Sequence, residues 1–234
     1  MSKRIWSIIL IFFTISCTDY ETQSGSTRPS PEDNAILSVQ VPVMGPERHI
    51  LAFGDSLFAG YNVDKKDSYP SKLQNALRAR GVNASVSNAG ISGDTSAAGL
   101  QRFAFTLDAQ RDTPDLVIIE FGGNDLLRGL FPEQTRANIA LMIEEADRRG
   151  INVLLMGMRA PPNYGPEYQL EFDSIYVDLA EQYRTALIPF WLEEIYRHPD
   201  LFQPDRIHPT EIGIERLVLA TVETVKSALP ENKS

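Results

Sequence analysis

The sequence predicts an α/β protein, a three-layer α/β/α sandwich around a mainly parallel five-stranded sheet. Three observations carry this prediction. Short apolar runs alternate with longer segments whose apolar residues recur at helical spacing. The runs are apolar at nearly every position, as strands buried on both faces are. Three of them lead into Gly-rich polar turns, and open α/β sheets bind ligands beyond the carboxyl ends of their strands.

The chain opens MSKRIWSIILIFFTISCTDYE. Lys3 and Arg4 form a basic start and Ile5 to Ile15 an apolar stretch. That stretch is too short for a spanning helix of about 20 residues, so residues 1–16 are expected to be a secretory signal peptide. Residues 17–47 are rich in Ser, Thr, Gly, Pro and acids and carry no periodicity, which predicts a flexible tether. Within it, AILSVQVPVMGPER is more apolar and fits against a domain surface. A single domain is expected over 48–230, with no internal repeat.

HILAF is the first expected strand. SYPSKLQNALRARG predicts a helix through Leu73, Ala76 and Leu77, stopped by Gly81. NASVSN is a strand and TSAAGLQRFAFTLDAQ is helical in part. DLVIIEF is a buried strand. PEQTRANIALMIEEADRRG is a helix with Pro132 near its start and Gly150 at its stop. INVLLMGM is a strand. GPEYQLEFDSIYVDLAEQYR is a helix with apolar residues at Leu170, Ile175, Leu179 and Tyr183. ALIPF is the last strand and PTEIGIERLVLATVETVKSAL the closing helix.

Composition narrows the function. With 43% hydrophobic and 23% charged residues, the 234-residue chain can bury a core. Its formal charge is −9, with no cluster of Lys or Arg beyond the extreme N-terminus. Nucleic-acid binding rests on such clusters, so it is not expected. Cys17 is the one cysteine, so no intrachain disulfide is possible. The stretch TISC around it resembles the lipobox of bacterial lipoproteins, except that Thr14 stands where Leu is usual. That resemblance implies lipidation of Cys17 and anchoring to a bacterial membrane from the periplasmic side. An ordinary signal peptide with an incidental cysteine is the alternative. Removing residues 1–16 takes away Lys3 and Arg4 and no acid, which gives −9 − 2 = −11.

Four polar clusters follow the predicted elements in order: GDS after HILAF, NAGISGDT after the second strand, GGND after DLVIIEF, and DRIHP before the closing helix. Each alone reads as turn chemistry. Together, Gly54-Asp55-Ser56-Leu57, Gly93, Asn124 and Asp205 with His208 resemble the blocks of the GDSL, or SGNH, hydrolases. ISGDTSAAGL, EFGGNDLLRG and MRAPPNYGPEY are similar to the bacterial thioesterase I, lysophospholipase L1 and arylesterase branch. The resemblance spans about residues 49–225 and implies the flavodoxin-like fold of that family.

It also implies roles. Ser56 is the nucleophile, which needs a base to take its proton. His208 is that base and Asp205 orients it. The oxyanion donors are the backbone N–H groups of Ser56 and Gly93 and the side-chain amide of Asn124. Gly90, in NAG, is the nearby competitor of Gly93; the SGDT match favours Gly93. His49 opens the first strand, at the wrong end of the sheet, and His198 lacks an acid at the family spacing. Asp55, Asp94 and Asp125 read as turn and supporting residues. Activity is expected to fall on the acid side as His208 is protonated.

The implied substrate is an ester, a thioester or a lysophospholipid, with no cofactor and no metal, acted on by a monomer. Segments 126–132 and 159–168 are expected to line an acyl groove. Ala160 is small where the thioesterase branch tends to have Leu, so chain-length preference does not transfer. A carbohydrate O-acetyl esterase would use the same triad. A metal phosphoesterase is disfavoured by the shortage of histidines. A lipid-anchored binding protein is disfavoured by the complete Ser, Gly, Asn, Asp and His set.

Overall fold

The computed structural model describes residues 43–231. The expected signal peptide, Cys17 and most of the tether lie outside these residues.

Five strands form one sheet: β1 Arg48–Gly54, β2 Ala84–Gly90, β3 Leu116–Glu120, β4 Asn152–Met156 and β5 Ala186–Ile188. Their order is β2-β1-β3-β4-β5, and every pairing is parallel. The helices are α1 Ser56–Ala59, α2 Tyr69–Ala79, α3 Ser96–Asp108, α4 Gly123–Leu127, α5 Pro132–Arg148, α6 Pro166–Tyr183, α7 Glu193–Tyr196 and α8 Glu211–Ala228. Every strand and long helix expected from the sequence is present. The short helices α1, α4 and α7 are additional.

Right-handed crossovers fix the layers. The chain moves outward from β1 to β2, then back past β1 to β3, β4 and β5. Reversing direction puts α2 on one face and α3, α5 and α6 on the other. The packing agrees: α2 lies against α8, while α5 lies between α3 and α6. The reversal opens a crevice where β1 and β3 end side by side, with Gly54 in register with Glu120.

The core explains the strand composition. Ile50, Leu51, Ala52 and Phe53 of β1 and Leu116 to Ile119 of β3 are all buried, as central strands covered on both faces must be. Edge strand β2 is half-exposed, which matches its Ser and Asn content. One apolar position differs from the pattern expected for α6. Leu170 is 75% exposed, because the buried stripe runs through Phe172, Ile175, Tyr176 and Leu179, and Leu170 lies off that spacing. Among the described residues, no helix is long and apolar enough to cross a membrane.

Candidate active site

The site starts at the end of β1. Gly54 has no room for a side chain: a Cβ there would meet Glu120 Oε2 at 2.7 Å and the Glu120 carbonyl at 2.8 Å. Its absence lets β3 close against β1. Asp55 then caps α1, its carboxylate accepting the Leu57 N–H at 3.0 Å. Ser56 is the first residue of that helix. Its side chain is thereby held at the strand end, and its N–H is one that a helix start leaves without an internal partner.

The turn before α8 carries Asp205 and His208. Asp205 Oδ1 accepts the backbone N–H groups of Ile207 at 2.9 Å and His208 at 3.0 Å. Its Oδ2 lies 2.7 Å from His208 Nδ1. One carboxylate thus fixes both the turn and the ring. His208 Nε2 faces Ser56 Oγ at 2.8 Å. The Tyr61 ring lies against the imidazole at a centroid distance of 4.3 Å. The Gln203 N–H donates to the His208 carbonyl at 2.7 Å, and its side-chain amide donates to the Tyr61 carbonyl at 2.8 Å. Burial works to raise the Asp205 pKa. The two backbone N–H groups and the imidazole outweigh it and hold the carboxyl below its ordinary value. Asp205 is therefore ionised when His208 needs an acceptor at Nδ1.

Two further N–H donors lie beyond neighbouring strand ends, Gly93 after β2 and Asn124 after β3. Gly93 has φ +86, a left-handed backbone that favours glycine. Its N–H meets no acceptor among the described residues. The competitor Gly90 differs: its N–H donates to Asn88 Oδ1 at 2.9 Å. A Cβ on Gly90 would strike the Ala59 nitrogen at 2.3 Å, so that glycine serves the packing of α1 on β2. Asn124, in α4, donates one amide hydrogen to Asp55 Oδ2 at 2.9 Å and keeps the other.

An Asp–His–Ser line with spare N–H donors around the hydroxyl is the equipment of acyl transfer. Comparison with known proteins points the same way. The GDSL-like Lipase/Acylhydrolase family model matches residues 52–216. The chain belongs to this family. Esterase TesA of Pseudomonas aeruginosa is 42% identical over 180 residues, 77% of this chain and 89% of its own. Thioesterase 1/protease 1/lysophospholipase L1 of Escherichia coli K12 is 39% identical over 160 residues, 68% of this chain and 74% of its own. The crystal structure of AlinE4, a SGNH-hydrolase family esterase, is 60% identical and superposes with a TM-score of 0.68. That match covers 80% of this chain and 100% of AlinE4.

Beneath the surface of this GDSL-family site lies a buried carboxyl pair. Asp55 is 2% exposed and Glu120 fully buried. Glu120 Oε2 accepts the Asp55 N–H at 3.3 Å, and its Oε1 has no partner. Burial pushes the Asp55 carboxyl up to about 6, against the Leu57 N–H, the Asn124 amide, Glu120 and His208, which all favour the anion. Burial, and then the Asp55 charge, raise Glu120 well above the ordinary carboxylate range, so the site favours its neutral form. Family motifs single out Asp55; Glu120 opens the EFGGNDLLRG stretch, where the resemblance assigns it no role.

Two networks, one buried and one half-buried, hold the donor-bearing loops. Asp125 accepts from Ser96 N at 2.8 Å and from Thr135 Oγ1 at 3.0 Å, joining α4 to α3 and α5. Arg102 donates to Asp94 Oδ2 at 2.8 Å, the Ala89 carbonyl at 2.9 Å and the Gly54 carbonyl at 3.0 Å. It also stacks on Phe53, with its guanidinium carbon 4.1 Å from the ring centre. Arg102 thereby binds the Gly93 loop to the end of β1. It carries no motif signal in the sequence.

A mostly apolar cavity of about 350 Å³ opens beside Ser56 and His208. Leu126 and Leu127 of the expected first lip segment line it, as do Arg159 and Pro161 of the second. Ala160 does not; it is buried, with its N–H on Asp173. Leu57, which ends the Gly54–Leu57 block, also lines the cavity, as do Phe190, Leu192 and Phe202, which no motif marks. The two lip segments are joined: Tyr164 donates its hydroxyl to the Leu126 carbonyl, and Tyr168 to the Leu130 carbonyl, both at 2.9 Å.

Proposed function

We propose that this GDSL-family hydrolase is a serine esterase that cleaves esters or thioesters of apolar acyl chains, with Ser56, His208 and Asp205 as its triad. The observation that carries the reading is the continuous line Asp205–His208–Ser56, at 2.7 and 2.8 Å, in the wall of an apolar cavity.

The chemistry follows from the hydrogen bonds. With Asp205 accepting from Nδ1–H, the bare Nε2 of His208 takes the Ser56 hydroxyl proton as Oγ attacks the acyl carbon. The carbonyl electron pair moves onto its oxygen. The N–H groups of Ser56 and Gly93 and the free amide hydrogen of Asn124 receive that oxyanion. Loss of one such donor costs about 3–4 kcal/mol of barrier. The intermediate collapses as His208 gives its proton to the leaving oxygen or sulfur, leaving an acyl-serine. Water, deprotonated by the same imidazole, then releases the acid and restores the Ser56 hydroxyl.

The test is a series of p-nitrophenyl esters from acetate to palmitate, and an acyl thioester, with the Ser56→Ala variant beside the purified wild type. Turnover by wild type alone, best with medium chains, is the expected result. Equal turnover by both proteins would reject Ser56 as nucleophile. Turnover of acetate alone would favour the carbohydrate O-acetyl esterase.

The same proposal covers the N-terminal region, on sequence grounds only. Residues 1–16 direct export, and Cys17 carries the lipid that anchors the enzyme to a membrane through the tether. Incorporation of labelled palmitate into the wild type and not into Cys17→Ser is the expected outcome. Equal labelling of both would remove the anchor.

A further inference from the structure

Three features of Arg206 set it apart from the other residues of the site. First, it lies in the turn that carries Asp205 and His208, with φ +58, where a side chain is disfavoured and glycine costs least. Second, it lines the cavity and is exposed, and its guanidinium makes no ion pair or hydrogen bond to another described residue. Asp205, one residue away, is engaged with Ile207 and His208 instead. Third, it is the one uncommitted cation on the cavity wall among the described residues. The other lining arginine, Arg159, is paired with Glu193 at 2.9 Å and stacked on Phe190 at 4.9 Å.

We propose that Arg206 is a specificity residue that holds a phosphate on the leaving-group side of the substrate. The inference rests on the serine-esterase reading for the direction of the substrate. His208 must reach the leaving atom to protonate it, so the leaving group passes over the 205–208 turn. The acyl chain goes to the apolar wall formed by Leu57, Leu126 and Met158. A guanidinium recognises phosphate by charge and by paired N–H donors. In a chain of formal charge −9, a free arginine beside the nucleophile attracts anions that the rest of the surface repels. An acylated glycerol phosphate and an acyl thioester of a phosphorylated carrier share this chemistry.

The full-length protein is compared with Arg206→Gly and Arg206→Glu. Glycine suits the backbone, so Arg206→Gly is expected to melt no lower than wild type. The substrates are an octanoyl ester of glycerol, the same ester bearing a 3-phosphate, octanoyl-coenzyme A, and a p-nitrophenyl half-ester of a dicarboxylic acid. The ratio of kcat/KM for phosphorylated over neutral ester is expected to fall about fivefold to thirtyfold in Arg206→Gly, mainly through KM, and further in Arg206→Glu. Added salt should shrink the wild-type ratio towards that of Arg206→Gly. A fall with the glycerol phosphate alone identifies a lipid-type headgroup; a fall with the coenzyme thioester alone identifies a carrier phosphate. An unchanged ratio in both variants, or a fall confined to the dicarboxylic half-ester, would overturn the proposal. A separate calorimetric arm compares octyl phosphate with octanol binding to Ser56→Ala, with and without Arg206→Gly. It judges Arg206 without turnover. A wild type that cleaves none of the esters, yet loses octyl phosphate affinity with Arg206, would reject the esterase reading and keep this one. Equal octyl phosphate binding with and without the arginine would overturn it.

Discussion

Asn124 Nδ2 donates to Asp55 Oδ2 at 2.9 Å, so an amide beyond β3 is aimed by a carboxylate beyond β1. The carboxylate fixes which way the amide faces and leaves one hydrogen for the substrate. Burial pushes Asp55 up to about 6, so its anion is lost as pH falls through that value. The wild type is therefore expected to lose kcat/KM as pH falls through about 6. Asp55→Asn removes that titrating group and a charged acceptor worth about 1.5–3 kcal/mol. Activity should drop about 10- to 100-fold, and the fall through about pH 6 should become shallower. A variant that keeps the wild-type pH profile would exclude Asp55 from the titration.

Glu120 gives a prediction about stability. Its pKa is raised on folding, first by burial and then by the Asp55 charge. A raised carboxyl favours the fold fully below its unfolded value and progressively less as pH climbs towards its folded value. Above the unfolded value the chain must take up a proton to fold. Glu120→Gln removes that uptake and keeps an acceptor for the Asp55 N–H. The variant should gain on wild type as pH rises from 4 to 8, by at most about 1.4 kcal/mol per pH unit. Denaturant melts across that range provide the check, and a pH-independent difference would mean that Glu120 is ionised in the fold.

Arg102 acts on the Gly93 loop from below, through Asp94, Ala89 and Gly54. Arg102→Leu keeps an apolar side chain on α3 and deletes both the donors and the guanidinium stacked on Phe53. Stability is expected to fall by about 1–3 kcal/mol, since acceptors are left unpaired. The catalytic signature is a kcat loss of about tenfold or more with KM nearly unchanged, because the oxyanion donor proposed at Gly93 serves the transition state. A rise in KM alone would place Arg102 in substrate binding instead.

The sheet was legible because its strands are nearly pure apolar runs between helices of clear period, and a parallel sheet with both faces covered requires that pattern. Ser56, Gly93, Asn124, Asp205 and His208 were legible because each sits in a short motif beyond a strand or before the closing helix. Of the supporting layer, Asp55, Asp94 and Asp125 were legible as neighbours of the motif residues, while Arg102 and Glu120 were not. Arg102 lies mid-helix and Glu120 at a strand end, and the partners that give them a role lie on other elements, such as Asp55, 65 positions before Glu120. Leu170 illustrates the converse: an apolar residue on a helix is core only if the stripe runs through it, and here Phe172 begins the stripe. The cavity walls from 190–202 come from turns after β5, where no periodicity marks a buried face.

Asp205→Asn tests the turn as well as the triad. The amide can still accept the N–H groups of Ile207 and His208 through its carbonyl oxygen. It presents NH2 to Nδ1, so the imidazole must take the other tautomer and carry its hydrogen at Nε2, facing Ser56. The expected loss in kcat is about 10³- to 10⁴-fold with little change in melting temperature. Near-wild-type turnover would mean that another group orients His208.

The joined lips bear on chain length. Tyr164 and Tyr168 donate to carbonyls of the 126–130 loop, and Leu126 and Leu127 of that loop line the cavity. A loop held by two side-chain hydroxyls keeps a fixed wall against the acyl chain. Tyr164→Phe and Tyr168→Phe together remove both bonds and keep both rings, so the contacts of Tyr164 with Tyr168 and of Tyr168 with Phe172 survive. Each lost bond is worth about 0.5–1.5 kcal/mol. Long esters gain most from an ordered apolar wall, since each buried methylene contributes about 0.8 kcal/mol. The double variant should therefore lose more kcat/KM on decanoate than on acetate, with KM carrying the change. An equal loss on both would locate the effect at the Asn124 helix rather than in the groove, because α4 leads directly into this loop.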